Sequence, residues 1–89
     1  MKKTIWIARI ADDNSDAYRA FFTESEAAAQ AAGYADHLTA KERNTQTVSV
    51  ESYPVEVTAG DDRTAEQLYR DLVNEDDEQI MNPDVYKEV

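Results

Sequence analysis

No cysteine occurs in the chain, which excludes a disulfide framework and any thiolate metal site. Its two glycines, Gly33 and Gly60, lie too far apart to form a phosphate-cradling loop. His37 is the only histidine, and Ser15, Ser25, Ser49 and Ser52 have no base beside them in sequence, so the common nucleophile-base pairings are not written into the chain. No apolar run approaches the length of a membrane span. The opening MKKTIWIARIADD has two lysines and then an apolar stretch. Arg9 breaks that stretch, two aspartates follow it, and no small-residue cleavage site appears. The expectation is a soluble, cytoplasmic protein that makes no membrane contact.

Basic residues are scarce as well. Nine Lys and Arg face nineteen Asp and Glu, for a net charge of −10. Residues 1–60 hold nine acids and six bases, and residues 61–89 hold ten acids and three bases, so the excess sits in the last third. Such a chain is repelled by nucleic acid and drawn to a basic protein surface. Eighty-nine residues make one domain, with a core of modest size that oligomerisation, for example as a homodimer, would help to stabilise.

Hydrophobic periodicity places the elements. TIWIARI, residues 4–10, is β-branched and aromatic, with Ile5 and Ile7 on one face and Trp6, Ala8 and Ile10 on the other. Two apolar faces predict a central strand. AYRAFF, residues 17–22, is its hairpin partner. Thr23 and Glu26 form a capping box that opens a helix running to about Arg43, with Ala27, Ala31, Tyr34 and Leu38 as its buried stripe. TVSVESYPVEV, residues 47–57, alternates as a strand that Pro54 places at a sheet edge or bends there. Thr64 and Gln67 cap a second helix, whose stripe is Ala65, Leu68, Tyr69, Leu72 and Val73. The terminal NPDVYKEV reads as a short helical turn or a mobile tail. The predicted fold is α+β, β-β-α-β-α: a three-stranded antiparallel sheet of order 2-1-3 packed with two helices. Residues 1–74 form the domain, and residues 75–89 an acidic extension that belongs to it or is partly mobile.

Two stretches invite a chemical reading. ADDNSDAY, residues 11–18, places Asp12, Asn14 and Asp16 at alternate positions, as a calcium loop does. The sixth position holds Ala17 where that loop needs glycine, and the twelfth holds Thr23 where it needs glutamate. A polar hairpin turn is the better reading, and no metal or cofactor is implied. Glu75-Asp76-Asp77-Glu78 opposes the helix dipole at a C-terminus and reads either as a solvated, fraying helix end or as a segment with a role outside folding. Together with Asp71, these acids are the candidate partner-binding residues. Asp71, Glu75 and Glu78 share one helical face over about 10 Å, a span in which one DNA strand carries about three phosphates. Trp6 and Phe21 are expected in the core beneath the second helix. Their functional alternative is an apolar interface.

The segment Phe22-Thr23-Glu24-Ser25-Glu26-Ala27, following a hairpin near the N-terminus, resembles small uncharacterised bacterial and phage proteins. These share a hairpin, an aromatic-Ser/Thr-x-x-Glu-Ala helix start and a further strand, and the resemblance covers residues 4–57. It implies a small prophage-type accessory protein and carries no catalytic residue. The acidity also resembles that of phage-encoded inhibitors that occupy nucleic-acid-binding surfaces. The leading expectation is a non-enzymatic module that binds a basic protein surface, without direct nucleic-acid binding. One alternative is a DNA-mimic inhibitor of anti-restriction or anti-CRISPR type, and another a small carboxylate or metal-dependent enzyme.

Overall fold

The computed structural model describes residues 1–75 and 82–89. In chain order the elements are β1 (Lys2–Ala11), β2 (Asp16–Phe21), α1 (Glu24–Asp36), a 3-10 turn (Glu42–Asn44), β3 (Thr47–Glu56), α2 (Ala65–Glu75) and β4 (Val85–Glu88). The strands form one antiparallel sheet of order β2-β1-β3-β4. The expected order 2-1-3 is present within it, but the sheet has four strands where three were predicted. The fourth comes from the terminal segment read as a helical turn or a tail. Val85 to Glu88 pair with Ser52 to Ser49, and the Val89 N–H reaches the Val48 carbonyl at 2.8 Å.

The two sheet faces carry separate cores. Ile5, Ile7, Ala20, Tyr53, Val55 and Val57 meet Ala65, Leu68 and Tyr69 of α2. Ala8, Val48 and Val50 meet Ala27 and Ala31 of α1, with Trp6, Ile10, Phe21, Tyr34 and Leu38 packed around them. Trp6 and Phe21, which face each other across the β1–β2 ladder, therefore lie under α1 and not under α2 as expected. Trp6 alternates with Ile5 and Ile7 along β1 and so takes the opposite face, where the alanines of α1 leave room for its ring; Leu68 and Tyr69 of α2 pack instead on Ile5, Ile7, Ala20 and Tyr53.

Both helix starts use the predicted caps. Thr64 and Gln67 exchange both bonds, Gln67 N–H to Thr64 Oγ1 at 3.2 Å and Thr64 N–H to Gln67 Oε1 at 2.8 Å. At Thr23 the hydroxyl accepts the Glu26 N–H at 3.4 Å and donates to the Glu26 carboxylate at 2.7 Å. α1 ends at Asp36, short of the expected Arg43. A third box stops it: the Glu42 N–H donates to Thr39 Oγ1 at 3.2 Å and the Thr39 N–H to Glu42 Oε1 at 3.0 Å, starting the 3-10 turn. Arg43 folds back to donate to the Ala35 carbonyl at 3.1 Å, which also accepts the Leu38 N–H at 3.2 Å.

Pro54 sits in a strand that is interior for part of its length. Val48 and Ser52 turn their carbonyls toward the β4 side, where they accept N–H groups from Val89 and Asp84. Pro54 is next but one after Ser52, beyond the last paired residue, so its missing N–H points at an unpaired edge and costs no ladder bond.

Gly33 lies inside α1, and a Cβ added there meets nothing within 4 Å. Gly33→Ala should therefore stabilise the protein by about 0.5–1 kcal/mol, raising Tm by a few degrees in a thermal melt. The same change at Gly60, whose φ is +82°, should lower Tm.

Candidate functional site

The ADDNSDAY stretch forms a turn closed on itself. The Asp12 carboxylate accepts the Asn14 and Ser15 N–H groups, each at 2.8 Å, and the Asp12 N–H donates to the Ser15 carbonyl at 2.9 Å. The backbone bond from Asn14, followed by that from Ser15, holds the Asp12 carboxyl below its ordinary value.

The candidate acids fall in two groups. Asp71 and Glu75 are on α2 and line one cleft of about 420 Å³, together with Pro54, Val55, Leu68 and Leu72. Asp76, Asp77 and Glu78 lie outside the described residues. Asp71 is not a bare charge: its carboxylate accepts Arg63 Nη1 at 2.7 Å. Arg63 also grips Asp61, with Nη2 at 2.7 Å from Oδ2 and Nε at 3.1 Å from Oδ1. The guanidinium, helped by the Arg63 N–H, holds the Asp61 carboxyl at about 2 against an ordinary 3.8. A carboxyl with a lowered folded-state pKa stabilises the fold above its unfolded value and loses that contribution as pH falls toward the folded one. The difference in stability between the parent and Asp61→Asn should therefore be constant above pH 3.8 and shrink between 3.8 and about 2. Chemical denaturation across that range checks it. Trp6 and Phe21 are partly buried core; Phe22, the next residue in the chain, is more exposed, with the Lys3 ammonium 4.4 Å from its ring centre. His37 is exposed at the end of α1.

A second constellation was not anticipated. Arg9, Glu51, Tyr53 and Tyr69 converge between the sheet and α2, joined by Ser49 and Asp16. Glu51 is 5 % exposed. Its Oε2 accepts Arg9 Nε at 3.1 Å and Ser49 Oγ at 3.0 Å, and its Oε1 accepts the Tyr53 hydroxyl at 2.6 Å. Arg9 sends its remaining nitrogens to Asp16 and to the Tyr69 hydroxyl. Its guanidinium carbon lies 5.6 Å from the Tyr18 ring centre and 5.5 Å from that of Tyr69. Burial pulls the Arg9 pKa down, but Glu51 and Tyr69 more than offset it, so the cation is held more firmly than in water. Burial, and then the bond to Glu51, pushes the Tyr53 hydroxyl well above its ordinary value; burial likewise raises Tyr69 against the opposing pull of Arg9. Both tyrosines are therefore neutral at pH 7, and each polar group named here is engaged by another. The cluster is built to hold a geometry.

One signal in the sequence pointed to it. Arg9 continues the odd-numbered face of Ile5 and Ile7, and Ser49 and Glu51 continue that of Tyr53. Register pairs Arg9 with Ser49 and Ile7 with Glu51, so the two charges meet as soon as β1 and β3 are aligned.

No helix among the described residues is long and apolar enough to cross a membrane, and no group of three or more His, Asp or Glu among them could hold a metal ion. Compared with known proteins, the chain matches no family model, no curated protein and no solved structure at a significant level.

Proposed function

We propose that the protein is a small acidic, non-enzymatic module that binds a basic surface on another protein, an accessory protein of the kind prophages carry. The observation that carries this reading is the placement of the carboxylates. Nineteen acids less Asp76, Asp77 and Glu78 leaves sixteen among the described residues; fifteen are exposed or partly exposed, and Glu51 alone is buried. The one inward acid is neutralised by Arg9, so the net −7 of the described residues, sixteen acids against nine bases, acts on the surroundings. A field of that sign accelerates encounter with a cationic partner and turns away nucleic acid.

A partner captured from cell lysate tests the reading. Its complex should weaken as salt rises, because the Debye length falls from about 10 Å at 0.1 M to about 3 Å at 1 M. Replacing Asp71, Glu75, Asp76, Asp77 and Glu78 by Asn or Gln should slow association while leaving the fold intact. Equal binding by that variant, or binding indifferent to salt, removes charge from the mechanism. If DNA competes with the protein for the partner's surface, the module acts as a DNA mimic.

A further inference from the structure

We propose that the outer edge of β4 receives an extended basic segment of another protein, which joins the sheet as a fifth strand beside Tyr86 and Glu88. The inference deepens the acidic-module reading and rests on it for the sign of the partner's charge.

The sheet has four stretches of free edge among the described residues, and they differ. The start of β1, Lys2 to Ile5, has no β2 partner, but it carries Lys2 and Lys3, which repel a basic segment. Along β2, the bond from the Asp12 N–H to the Ser15 carbonyl sets the parity, so Asp16, Tyr18 and Ala20 turn their backbone groups outward. Ala20 is only 4 % exposed, and α2 lies against this strand, so that edge is closed at Ala20 and leaves only Asp16 and Tyr18 within reach. The end of β3 carries Pro54, which has no donor to offer. β4 is different. Because the Val89 N–H binds the Val48 carbonyl, Val85, Lys87 and Val89 face β3, whereas Tyr86 and Glu88 turn both backbone groups to the free side. Tyr86 is 51 % exposed, and Lys87 and Glu88 are exposed too.

Side-chain chemistry selects the occupant. Lys87 points to the α1 face, where its ammonium lies 3.3 Å from Glu24. On the opposite face Tyr86 and Glu88 stand at consecutive same-side positions, with the Tyr86 hydroxyl 3.0 Å from the Glu88 carboxylate. Asp84, just before the strand, is exposed as well. A second copy of the chain fits poorly. Antiparallel self-pairing about Tyr86 sets Asp84 against Glu88, and pairing about Lys87 sets Lys87 against Lys87; like charges directly opposite destabilise a ladder. A strand with a cation facing Glu88 and an apolar or aromatic residue facing Tyr86 meets no such conflict. Main-chain bonds then supply affinity, and the alternating side chains supply selectivity.

The test uses the full chain and a capped Thr-Lys-Thr-Val-Thr-Lys-Thr peptide, one face of which sets valine against Tyr86 and lysines against Asp84 and Glu88. Amide exchange followed by NMR should show the Tyr86 and Glu88 N–H groups slowing on addition of peptide, while Lys87, already bonded to β3, changes little. N-methylating the peptide amides on its bonding edge should weaken binding by about tenfold or more, with charge unchanged. Tyr86→Pro removes the outward N–H together with the Tyr86 ring and should have the same effect, whereas Tyr86→Ala, which keeps the N–H, should weaken binding less. Equal affinity of the methylated peptide, or protection appearing elsewhere, overturns the proposal, and because that arm uses the unaltered protein it does not depend on the proline variant folding. If Tyr86→Pro binds normally while the five-acid neutralised variant does not, the acidic module stands and the edge falls. If the same peptide with both lysines replaced by glutamate binds as well, with the same protection pattern, the edge stands and the charge reading falls.

Discussion

Glu51→Ala should cost about 3–5 kcal/mol, the usual penalty for removing one member of a buried ion pair. A domain of this size has about 4–13 kcal/mol in total, so the variant should melt tens of degrees lower or fail to fold. The penalty comes from what stays behind. Arg9 would keep its bonds to Asp16 and Tyr69 but lose the carboxylate that offsets its burial, and the Tyr53 and Ser49 hydroxyls would lose their acceptor. Removing the polar groups together should behave differently. Arg9→Met, Glu51→Leu and Tyr53→Phe in one chain replace the pair by packed apolar groups, and such replacements are often neutral or stabilising. Most of the lost stability should return, and the single and combined variants should be strongly non-additive in denaturant melts. If Glu51→Ala melts like the parent, the cluster contributes nothing to holding β1 against β3. Full recovery in the combined variant with unchanged amide-exchange protection along β1 and β3 would show that packing alone can set the register.

The parts of the fold that were legible in the sequence are those where one segment carries its own signal. TIWIARI has two apolar faces because it is covered on both sides, and that alone placed β1 between β2 and β3. The Thr64–Gln67 box and the Leu68–Tyr69–Leu72 stripe located α2. Features that depend on two distant segments were not legible. Arg9 and Glu51 are forty-two positions apart. Charged residues are rarely buried unless paired, and their shared face becomes visible only once β1 and β3 are placed in register. The side of the sheet taken by Trp6 could have been inferred, since an alanine-faced helix needs large partners, but parity along β1 says nothing about which helix lies on which face. The end of α1 was missed because Thr39 and Glu42 were read as helix interior, although their spacing matches the box that opens α1. Among the candidate acids, Asp71 was legible as helical, whereas its partner Arg63 emerges only from the loop that precedes α2.

Deleting residues 84–89 should lower stability by roughly 3 kcal/mol, or about 12–24 °C in Tm, and this tests the element the sequence hid most completely. VYKE carries little strand signal of its own. It is half polar, short, and exposed except for a partly buried Val85, because an edge strand paired on one side has little to bury. Its contribution comes from what it completes. The Asp84 and Val89 N–H groups bond the Ser52 and Val48 carbonyls at 2.9 and 2.8 Å, and the four register pairs lie between them. At about 0.5–1.5 kcal/mol per hydrogen bond, a few such bonds reach the stated loss. Two further effects pull in opposite directions. Water reaching Val48 and Val50 weakens the core under α1, while water reaching Glu51 eases the burial of its charge and so softens the Glu51→Ala penalty. The truncated protein should therefore be less stable than the parent yet less sensitive to Glu51→Ala, a coupling that a double-mutant cycle reads directly. A freely mobile tail predicts neither effect: Tm would be unchanged on deletion, and the Glu51→Ala penalty would be the same in both backgrounds. Newly bared backbone groups along β3 should also make the truncated chain self-associate at high concentration, which sedimentation would detect.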